Sequence, residues 1–420
     1  VRWCERTNNQ LMIILLLDNR KKERIMKIIR QAEIYAPDFL GTMDVFIVND
    51  KIVAIEDEIT GGFEGLTIEE IDGSGQIVTP GFIDCHFHIL GGGGENGYHN
   101  RTPEVTLSQL TTAGVTTVVG CLGTDGVGRD MVALLSKAHG LETEGITTYV
   151  YDGSYRLPIE PVTDSIIKDL LTIDKIIGVG EIAISDHRSS QPTFAEFTRT
   201  VADARVGGML SGKAGIVNVH LGDGSDRLKL INQTIEETEI PITQFLPTHA
   251  NRTQEVFEAC LEFAKKGGVI DFTGSENPDF WEKTDGEVRF SKALKRFLAE
   301  DISLDNFTMT SDGQGSLPYF NEQNQFIGMG VGSAKSLLVG IKEAVFKEEI
   351  PLEIALRAIT CNPAKILKLE NKGVLAVGKD ADLCLLDKET LELRTVIAKG
   401  QVMVAEKEVK VWGTFEQIGK

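Results

Sequence analysis

The sequence predicts an α/β fold, a (β/α)8 TIM-like barrel inserted in a small β-sandwich domain formed by both ends of the chain. Two observations predict it. Across roughly residues 80–370, short apolar runs rich in β-branched residues alternate with longer amphipathic stretches, whereas both flanks show only short strands and tight turns. Strand-rich flanks around a different middle are typical of a domain interrupted by an insertion.

The two flanks show the alternation of apolar and polar residues that is typical of half-buried strands. We expect the strands of both ends to pair with one another in a single sandwich. The predicted strands lie at residues 27–35, 44–55, 71–78, 382–387, 393–398 and 402–404.

The middle of the chain contains eight apolar runs, spaced as strand-plus-helix units are, and eight such units make a closed barrel. A doubly wound open sheet is the alternative, but no Gly-x-Gly-x-x-Gly motif follows a first strand. The runs begin near residues 77, 116, 147, 176, 215, 242, 268 and 307, and helices are predicted at 106–113, 162–173, 192–205, 254–266 and 290–299. The expected boundaries are 26–80 and 372–420 for the sandwich and 81–371 for the barrel.

Residues 1–25 precede this pattern, and we interpret them as a disordered segment or an upstream extension from a misassigned start codon. Met26 opens the first strand pattern, and residues 20–24 would be encoded by a purine-rich stretch, as a ribosome-binding site would be. The apolar run at residues 11–17 is too short to span a bilayer and precedes no small-residue cleavage site. We therefore expect no signal peptide.

Composition excludes several classes of protein. The chain has 420 residues with 43 Lys and Arg against 62 Asp and Glu, a net charge of −19. General binding to nucleic acid or to an anionic membrane needs clustered basic residues, which this chain lacks. The six cysteines form no Cys-x-x-Cys pair and no disulfide framework, so a cytoplasmic location is expected.

Four of the seven histidines lie at predicted strand ends, where a barrel has its chemistry. His86 and His88 alternate along the first strand and therefore face the same side. His220 and His249 end the fifth and sixth strands, and Asp312 ends the eighth. Imidazole and carboxylate groups that converge from separate strands predict a site for zinc or a similar divalent ion.

The remaining histidines are not expected to bind the metal directly. They are predicted to lie in a loop, on a helix and beyond a strand end, where solvent-facing roles are more usual: His99, His139 and His187, respectively.

These motifs resemble the amidohydrolase superfamily and, within it, the isoaspartyl dipeptidases. The superfamily motifs are Gly-Phe-Ile-Asp-Cys-His-Phe-His at 81–88, Ser-Asp-Gly at 311–313 and the segment 378–387. Narrower motifs occur at residues 90–95, 101–105, 123–125, 184–188, 247–252 and 311–316. The resemblance extends over essentially the whole chain from Met26 and implies the same barrel and sandwich.

The resemblance also implies roles at a dinuclear zinc site. His86 and His88 would hold one zinc, His220 and His249 the second, and Asp312 would contact metal and transfer the proton as a catalytic residue. A hydroxide activated by the metals is a nucleophile near neutral pH.

Further residues would bind a small dipeptide that has both charges. Guanidinium groups match carboxylates bidentately. By resemblance, the substrate-binding residues are Glu95 for the α-ammonium group, Arg188 and Arg252 for the carboxylates, Tyr155 for the polarised carbonyl oxygen, Ser316 for the aspartyl end, and Thr124.

One position departs from the family pattern. Where the family has a carboxylated lysine that bridges the metals, the strand at residues 177–185 contains no lysine, and Glu181 takes its place. A glutamate carboxyl ends about 4 Å nearer the backbone than a lysine carbamate. Compared with the family pattern, the strand is one residue longer at Gly180, and a bulge there would move the backbone inward. We hypothesise that Glu181 bridges two zincs directly without a carbamate, with a single zinc as the alternative.

The expected function is a zinc-dependent peptidase that hydrolyses the isopeptide bond of β-aspartyl dipeptides. Another amidohydrolase, acting on a cyclic imide or an N-acyl amino acid, is the nearest alternative. Glu95 distinguishes them, because an anchor for a free α-amine has no purpose with an N-acyl substrate. A non-catalytic scaffold with this fold is a further alternative. By analogy with related barrels, a homo-oligomer is expected.

Overall fold

The structure is a computed structural model that describes residues 26–60, 67–321, 323 and 325–416. The interpretation of residues 1–25 lies outside the described residues. Within the described part of the chain, no helix is both long enough and apolar enough to cross a membrane.

The first sheet is built from both ends of the chain, as the sequence predicts. The central pairing is between β5 and β16, which run antiparallel with Val78 opposite Leu385. Among the described residues, this sheet has nine strands in the order β19-β18-β17-β16-β5-β1-β2-β3, with β4 also paired to β1. The strands are β1 (Met26–Tyr35), β2 (Phe39–Val48), β3 (Lys51–Glu56), β4 (Ile68–Asp72), β5 (Gln76–Pro80), β16 (Leu383–Asp387), β17 (Leu393–Ala398), β18 (Gln401–Ala405) and β19 (Glu408–Val409).

The sheet closes on itself into a sandwich. The Ile52 amide on β3 donates to the Lys379 carbonyl, and the Gly378 amide donates to the Ile52 carbonyl. The edge strand from the N-terminal half therefore meets the segment that precedes β16. Alternate apolar residues of both halves fill the interior: Ile29, Ile34, Val45, Ile47, Val78, Leu383, Leu385 and Ile397.

The second unit is a ring of eight parallel strands. β6 to β11 form one continuous sheet, and β12 pairs with β13. The Ala250 amide donates to the Asp271 carbonyl and the His88 amide donates to the Gly313 carbonyl, which joins β11 to β12 and β13 back to β6. The strands are β6 (Phe82–Phe87), β7 (Val115–Gly120), β8 (Thr147–Asp152), β9 (Ile176–Ile184), β10 (Ile216–Leu221), β11 (Phe245–Thr248), β12 (Ile270–Thr273) and β13 (Phe307–Thr310).

The fold class predicted from the sequence is therefore confirmed, with one correction at the first strand. The apolar run that begins near residue 77 belongs to the sandwich as β5, and the first barrel strand begins at Phe82. The hydrogen bonds explain the break, since the Gly81 amide donates to Asp382 in the sandwich and the Phe82 amide donates to Gly114 in the barrel. The predicted domain boundaries stay predictions.

Helices surround the barrel. The five predicted helices are present. The helix predicted to begin at residue 162 begins instead at Ile166, because the Asp169 carboxylate accepts hydrogen bonds from the amides of Val162 and Thr163 and holds them in the preceding loop. The helices are α1 (Leu107–Thr111), α2 (Met131–Glu144), α3 (Ile166–Thr172), α4 (Phe194–Ser211), α5 (Lys229–Glu237), α6 (Gln254–Lys265), α7 (Pro278–Thr284), α8 (Phe290–Leu298), α9 (Ser336–Phe346), α10 (Leu352–Arg357) and α11 (Cys361–Ile366), with a 3-10 turn at Ile242–Gln244. A two-stranded hairpin, β14 (Ser316–Phe320) and β15 (Phe326–Val331), follows the eighth barrel strand.

Candidate metal centre

The carboxyl ends of the barrel strands open into a cleft of about 630 Å³. Ten predicted site residues line it: His88, Glu95, Thr124, Tyr155, Arg188, His220, His249, Arg252, Asp312 and Ser316. His86 and Glu181 are fully buried beneath it. All the predicted site residues are thus brought to one end of the barrel, as strand-end placement requires.

His86 and His88 extend from the end of β6 toward the same point. The Nε2 atoms of these rings lie 3.4 and 3.3 Å from the carboxylate oxygens of Glu181. Asp312 Oδ1 lies 3.6 Å from His86 Nε2 and 3.1 Å from His88 Nε2. Asn218 Oδ1 is 3.0 Å from His86 Nδ1, which fixes that ring with its Nε2 toward the centre.

Glu181 reaches this point because β9 bulges inward, as the sequence predicts. Val217 and Val219 of the neighbouring strand pair with Val179 and Ile182, so β9 has one additional residue there. Gly180 has a φ of 143°, and a Cβ at this residue would lie 2.5 Å from the Asn218 carbonyl oxygen. Only glycine fits, which explains the residue type.

His220 and His249 approach Glu181 from the other side. His220 Nδ1 lies 3.0 Å from Glu181 Oε2, and His249 Nε2 lies 3.9 Å from the same oxygen. The other nitrogen of each ring is held by a neighbour, His220 Nε2 by Asp186 at 3.1 Å and His249 Nδ1 by Thr273 at 2.8 Å. Each ring therefore presents its remaining nitrogen toward Glu181.

The described residues contain two groups of donor atoms spaced as metal ligands are, and Glu181 belongs to both. One group is His86, His88, Cys121 and Glu181, and the other is Glu181, His220 and His249. Three buried atoms at the centre have no hydrogen-bond partner within the described part of the chain, namely His86 Nε2, Glu181 Oε1 and Asp312 Oδ1. Buried polar atoms without partners are costly. A divalent cation would satisfy all three, so the residues present fit a metal.

The electrostatics of the centre also favour a cation. Burial opposes ionisation of Glu181, but the histidines around it outweigh burial and hold the pKa of this carboxyl well below its usual range. The pKa of Asp312 is likewise lowered, because the neighbouring imidazoles, His88 above all, outweigh the cost of burial. Burial, together with His220 and Arg252, lowers the pKa of His249 to about 3. Two carboxylates and a neutral imidazole are the forms that bind metal, whereas Cys121 and the carboxylates outweigh burial and raise the pKa of His86 and His88, which would release a proton when they bind metal.

A polar cluster lies beside the centre. Glu95 Oε1 accepts from Thr124 Oγ1 at 2.9 Å and lies 3.5 Å from the Arg188 guanidinium, and Ser316 Oγ lies 3.5 Å from Glu95 Oε2. The Asp186 carboxylate accepts from Arg188 Nε at 3.0 Å and from its terminal nitrogen at 2.7 Å. The cluster therefore places a carboxylate and a guanidinium side by side, facing the cleft.

Tyr155 connects this cluster to the centre. Its hydroxyl lies 2.9 Å from His220 Nδ1, and the Arg188 guanidinium lies 5.5 Å from the centre of its ring. Burial and the charge of Glu181 raise the pKa of Tyr155 well above its usual value. The phenol is therefore protonated at neutral pH and can donate a hydrogen bond.

Arg252 also lines the cleft. Its charge favours the ionised forms of Asp285 and Glu287, which follow α7. Its Nε is buried and makes no hydrogen bond to any described residue. Both arginines line the cleft, and a guanidinium group suits a carboxylate.

Sequence reasoning missed two residues of the centre. Cys121 ends β7 with its Sγ 3.7 Å from His88 Nδ1, and Asp186 holds both His220 and Arg188. The Ser-Asp-His-Arg motif contained the signal for Asp186, whereas Cys121 follows an apolar strand as a core residue would. The three excluded histidines are all exposed, and none belongs to either donor group: His99, His139 and His187.

Comparison with solved structures supports the overall fold. The β-aspartyl dipeptidase of Fervidobacterium islandicum AW-1, solved in complex with the β-Asp-Leu dipeptide, matches with a TM-score of 0.86 and 44% sequence identity. The match covers 93% of this chain and 99% of that chain. A D-hydantoinase structure matches with a TM-score of 0.64 at 19% identity over 93% of this chain and 97% of that chain, which supports the fold alone.

Curated relatives match at lower identity. The D-hydantoinase of Rhizobium radiobacter is 23% identical over 415 residues, with 86% of each chain covered. The dihydroorotase of Lactobacillus johnsonii is 24% identical over 400 residues, which cover 86% of this chain and 89% of that one. The family model described as "Amidohydrolase family" matches residues 77–403. Together with the barrel and the donor groups at its mouth, this match shows that the chain belongs to the amidohydrolase family.

Proposed function

We propose that this chain is a metal-dependent peptidase that hydrolyses the isopeptide bond of β-aspartyl dipeptides. The observation that supports this most is the pair formed by Glu95 and Arg188, 3.5 Å apart beside the donor groups. An α-amino acid end presents an ammonium and a carboxylate on one carbon, and this pair is complementary to both. The dipeptidase from Fervidobacterium islandicum is a related protein that was solved in complex with such a ligand.

The metal centre would be dinuclear, with Glu181 as the bridging ligand and no lysine carbamate. His86 and His88 would complete one site and His220 and His249 the other, with Asp312 in contact with the first pair. A divalent ion such as zinc supplies a water of lowered pKa and polarises a carbonyl oxygen. A single zinc, held by all these donors together, is the alternative.

The protein groups divide the remaining chemistry. Asp312 is ionised and lies 3.1 Å from His88 Nε2, so it can accept a proton from the attacking water and return it to the leaving amine. The Tyr155 hydroxyl, protonated and facing the centre, can donate to the carbonyl oxygen as negative charge develops on it. Glu95, Thr124, Arg188, Arg252 and Ser316 would hold the substrate by its charged ends.

A cyclic amidohydrolase is the alternative that the curated relatives favour, since they include a D-hydantoinase and a dihydroorotase. A cyclic imide or an N-acyl amino acid has no free α-ammonium group. Glu95 would then face a substrate with no ammonium group to bind, and only Arg188 would balance its charge. The dipeptide therefore fits the cleft better.

The test is an assay of β-Asp-Leu against α-Asp-Leu, hydantoin and dihydroorotate, with and without a chelator, together with metal analysis. We expect hydrolysis of β-Asp-Leu alone, its loss with the chelator and its return with zinc. About two zinc ions per chain would support the dinuclear centre. Equal cleavage of the α and β isomers, or preference for a cyclic amide, would contradict the proposed substrate. If the purified protein binds no metal, the alternative of a non-catalytic scaffold would be favoured instead.

A further inference from the structure

Three of the narrow sequence motifs meet at one buried point beside the metal centre. They are the segments 90–95, 101–105 and 311–316. The Thr102 hydroxyl lies at this point, where it donates to the Gln314 carbonyl oxygen at 2.6 Å and accepts from the Gly92 amide at 2.7 Å. We call Thr102, Gly92 and Gln314 the junction. One side chain thus joins three segments of the chain, and none of the three residues has a role in the proposed function.

The first segment of the junction carries Glu95, three residues after Gly92. The Gly92 carbonyl accepts from the Thr102 amide at 3.1 Å and from the Arg129 guanidinium at 2.9 Å, and Arg129 also donates to the Thr102 carbonyl at 2.7 Å. Gly91 has a φ of 83°, and a Cβ there would lie 2.3 Å from the Thr102 carbonyl oxygen, so only glycine allows this approach. The position of Thr102 therefore determines where the Glu95 loop lies.

The second segment carries Asp312, two residues before Gln314. The Gly315 amide donates to the Asp312 carbonyl at 3.0 Å, which closes a turn around Gln314. The Gln314 carbonyl accepts from the Gly92 amide at 3.0 Å, and the buried Gln314 side chain donates to the Pro103 carbonyl at 3.1 Å. The loop of Asp312 is therefore tied to the loop of Glu95 through the junction.

The proposed reaction depends on the distance between these two loops. Glu95 would bind the α-ammonium group, and Asp312 would accept the proton of the attacking water. The loops follow different strands, β6 and β13, which are joined by the hydrogen bond from the His88 amide to the Gly313 carbonyl. Beyond that bond, the junction continues the connection. A misplacement of about 1 Å far from the chemistry can lower a rate by about 10²-fold, so this distance has to be fixed by the protein.

We propose that Thr102 is a positioning residue whose hydroxyl sets the place of Glu95, and so of the substrate ammonium group, relative to Asp312. This proposal rests on the proposed β-aspartyl peptidase function. A valine has the shape of threonine but can neither donate nor accept a hydrogen bond, whereas a serine retains the hydroxyl. The direct hydrogen bond from Gly92 to Gln314 remains possible in both variants, so we expect both to fold.

The test measures kcat/KM for β-Asp-Leu on the zinc-loaded wild type, Thr102→Val and Thr102→Ser. On the same samples, the inhibition constant of succinyl-leucine is measured, because this compound is β-Asp-Leu without the α-amino group. In Thr102→Val we expect kcat/KM to fall by about 10–100-fold, with zinc content and the inhibition constant as in the wild type, since succinyl-leucine does not use Glu95. Thr102→Ser should recover most of the activity, because its hydroxyl can make the same hydrogen bonds.

A second variant and a control accompany the test. Gln314→Met removes the hydrogen bond to Pro103 at similar side-chain size and tests the junction if Thr102→Val does not fold. It should lower kcat/KM and leave the inhibition constant unchanged. Thr360→Val removes another buried hydroxyl, which donates to the Leu356 carbonyl at 2.6 Å and does not line the cleft. This control should have the kcat/KM of the wild type.

The outcomes separate the positioning role from the proposed function. Wild-type kcat/KM in Thr102→Val, or in Gln314→Met if Thr102→Val does not fold, would overturn the positioning role while the peptidase function stands. An inhibition constant that rises in proportion to the fall in kcat/KM would show a general disturbance of the cleft and would also overturn that role. If the wild type does not hydrolyse β-Asp-Leu, the proposed function is wrong, and the positioning role with it.

Discussion

Two buried carboxylates of the barrel, Glu181 on β9 and Asp271 on β12, have opposite surroundings. Asp271 accepts hydrogen bonds from the hydroxyls of Thr248, Thr308 and Thr310, at 2.6 to 2.8 Å. Glu181 is surrounded by imidazoles, and its Oε1 has no hydrogen-bond donor in the described ranges. Both side chains have no exposed surface.

The difference separates a structural acid from one arranged to bind a cation. Burial raises the pKa of Asp271 despite its three donors, so the barrel tolerates this carboxyl without needing its charge. The pKa of Glu181 is lowered by its histidine neighbours although it is equally buried. The identity of the neighbours, and not the degree of burial, determines which acid is available for chemistry.

The Glu181→Gln variant tests most directly whether Glu181 differs from Asp271 by binding a metal. The amide cannot supply a negative bridging ligand, so we expect zinc content to fall well below that of the wild type and hydrolysis of β-Asp-Leu to fall below detection. Metal analysis after dialysis, with activity measured on the same sample, checks this. A variant with wild-type zinc content would show that Glu181 is not a ligand.

Asp312→Asn should separate proton transfer from metal binding. The amide retains the size of the side chain but cannot accept a proton, so we expect kcat to fall by about 10²–10⁴-fold with the histidine ligands still loaded. Steady-state kinetics beside zinc analysis measures both. Residual activity above a tenth of the wild type would mean that another group accepts the proton.

Asp186→Asn tests the residue that sequence reasoning missed. The Asp186 carboxylate accepts hydrogen bonds from both His220 and Arg188. An amide has only one oxygen and no negative charge, so it cannot accept both bonds as the carboxylate does. Mutation of a residue that holds a metal ligand by a hydrogen bond lowers metal affinity or activity by about 10–100-fold. We expect a rise in KM through Arg188 and weaker zinc binding through His220, measured by kinetics and by competition with a chelator. Asp125→Asn, which breaks an ion pair with Arg101 outside the donor groups, is the control.

Asp271→Asn should change stability and leave the metal in place. Replacing the carboxylate disturbs three buried hydrogen bonds, and we expect a loss of about 1–3 kcal/mol in the free energy of unfolding. Denaturant unfolding measures this, and zinc analysis of the folded variant should match the wild type. Loss of zinc together with stability would remove the distinction between the two acids.

A third buried acid, Asp152, sharpens the comparison through pH. Burial and then the charge of Asp169 raise the pKa of Asp152 to about 8. The pKa of an unfolded aspartate is about 3.9. Because the folded pKa is higher, protonation of Asp152 stabilises the fold fully below the unfolded pKa, and this stabilisation is lost as the pH rises through about 8. From about pH 6 to about pH 9, the wild-type Tm should therefore fall more steeply than that of Asp152→Asn. Equal slopes would show that Asp152 does not titrate in this range.

Much of the fold could be predicted because barrel strands are continuous apolar runs separated by helices. The first strand was misplaced since β5 and β6 form one apolar stretch, and only the hydrogen bonds of Gly81 and Phe82 divide it. The hairpin of β14 and β15 was not predicted, because its residues are half-buried or exposed on both faces and lack strand alternation.

The centre could be predicted where chemistry coincides with strand ends, as for His86 and His88. The bulge at Gly180 was predicted from one additional residue in β9, and the pairing with β10 confirms it. Cys121 was missed because a thiol after an apolar strand is indistinguishable from a core residue. Contacts of loop residues such as Asp186 depend on the tertiary fold and leave no periodic signal.

The position of β5 in the sandwich has a consequence for how the chain is made. Its partner β16 follows about 300 residues later, after the entire barrel. At the usual elongation rate of about 5–20 residues per second, the β5 edge waits about 15–60 s on the ribosome without that partner. During synthesis, the nascent N-terminal strands therefore present an open sheet edge until β16 has been made.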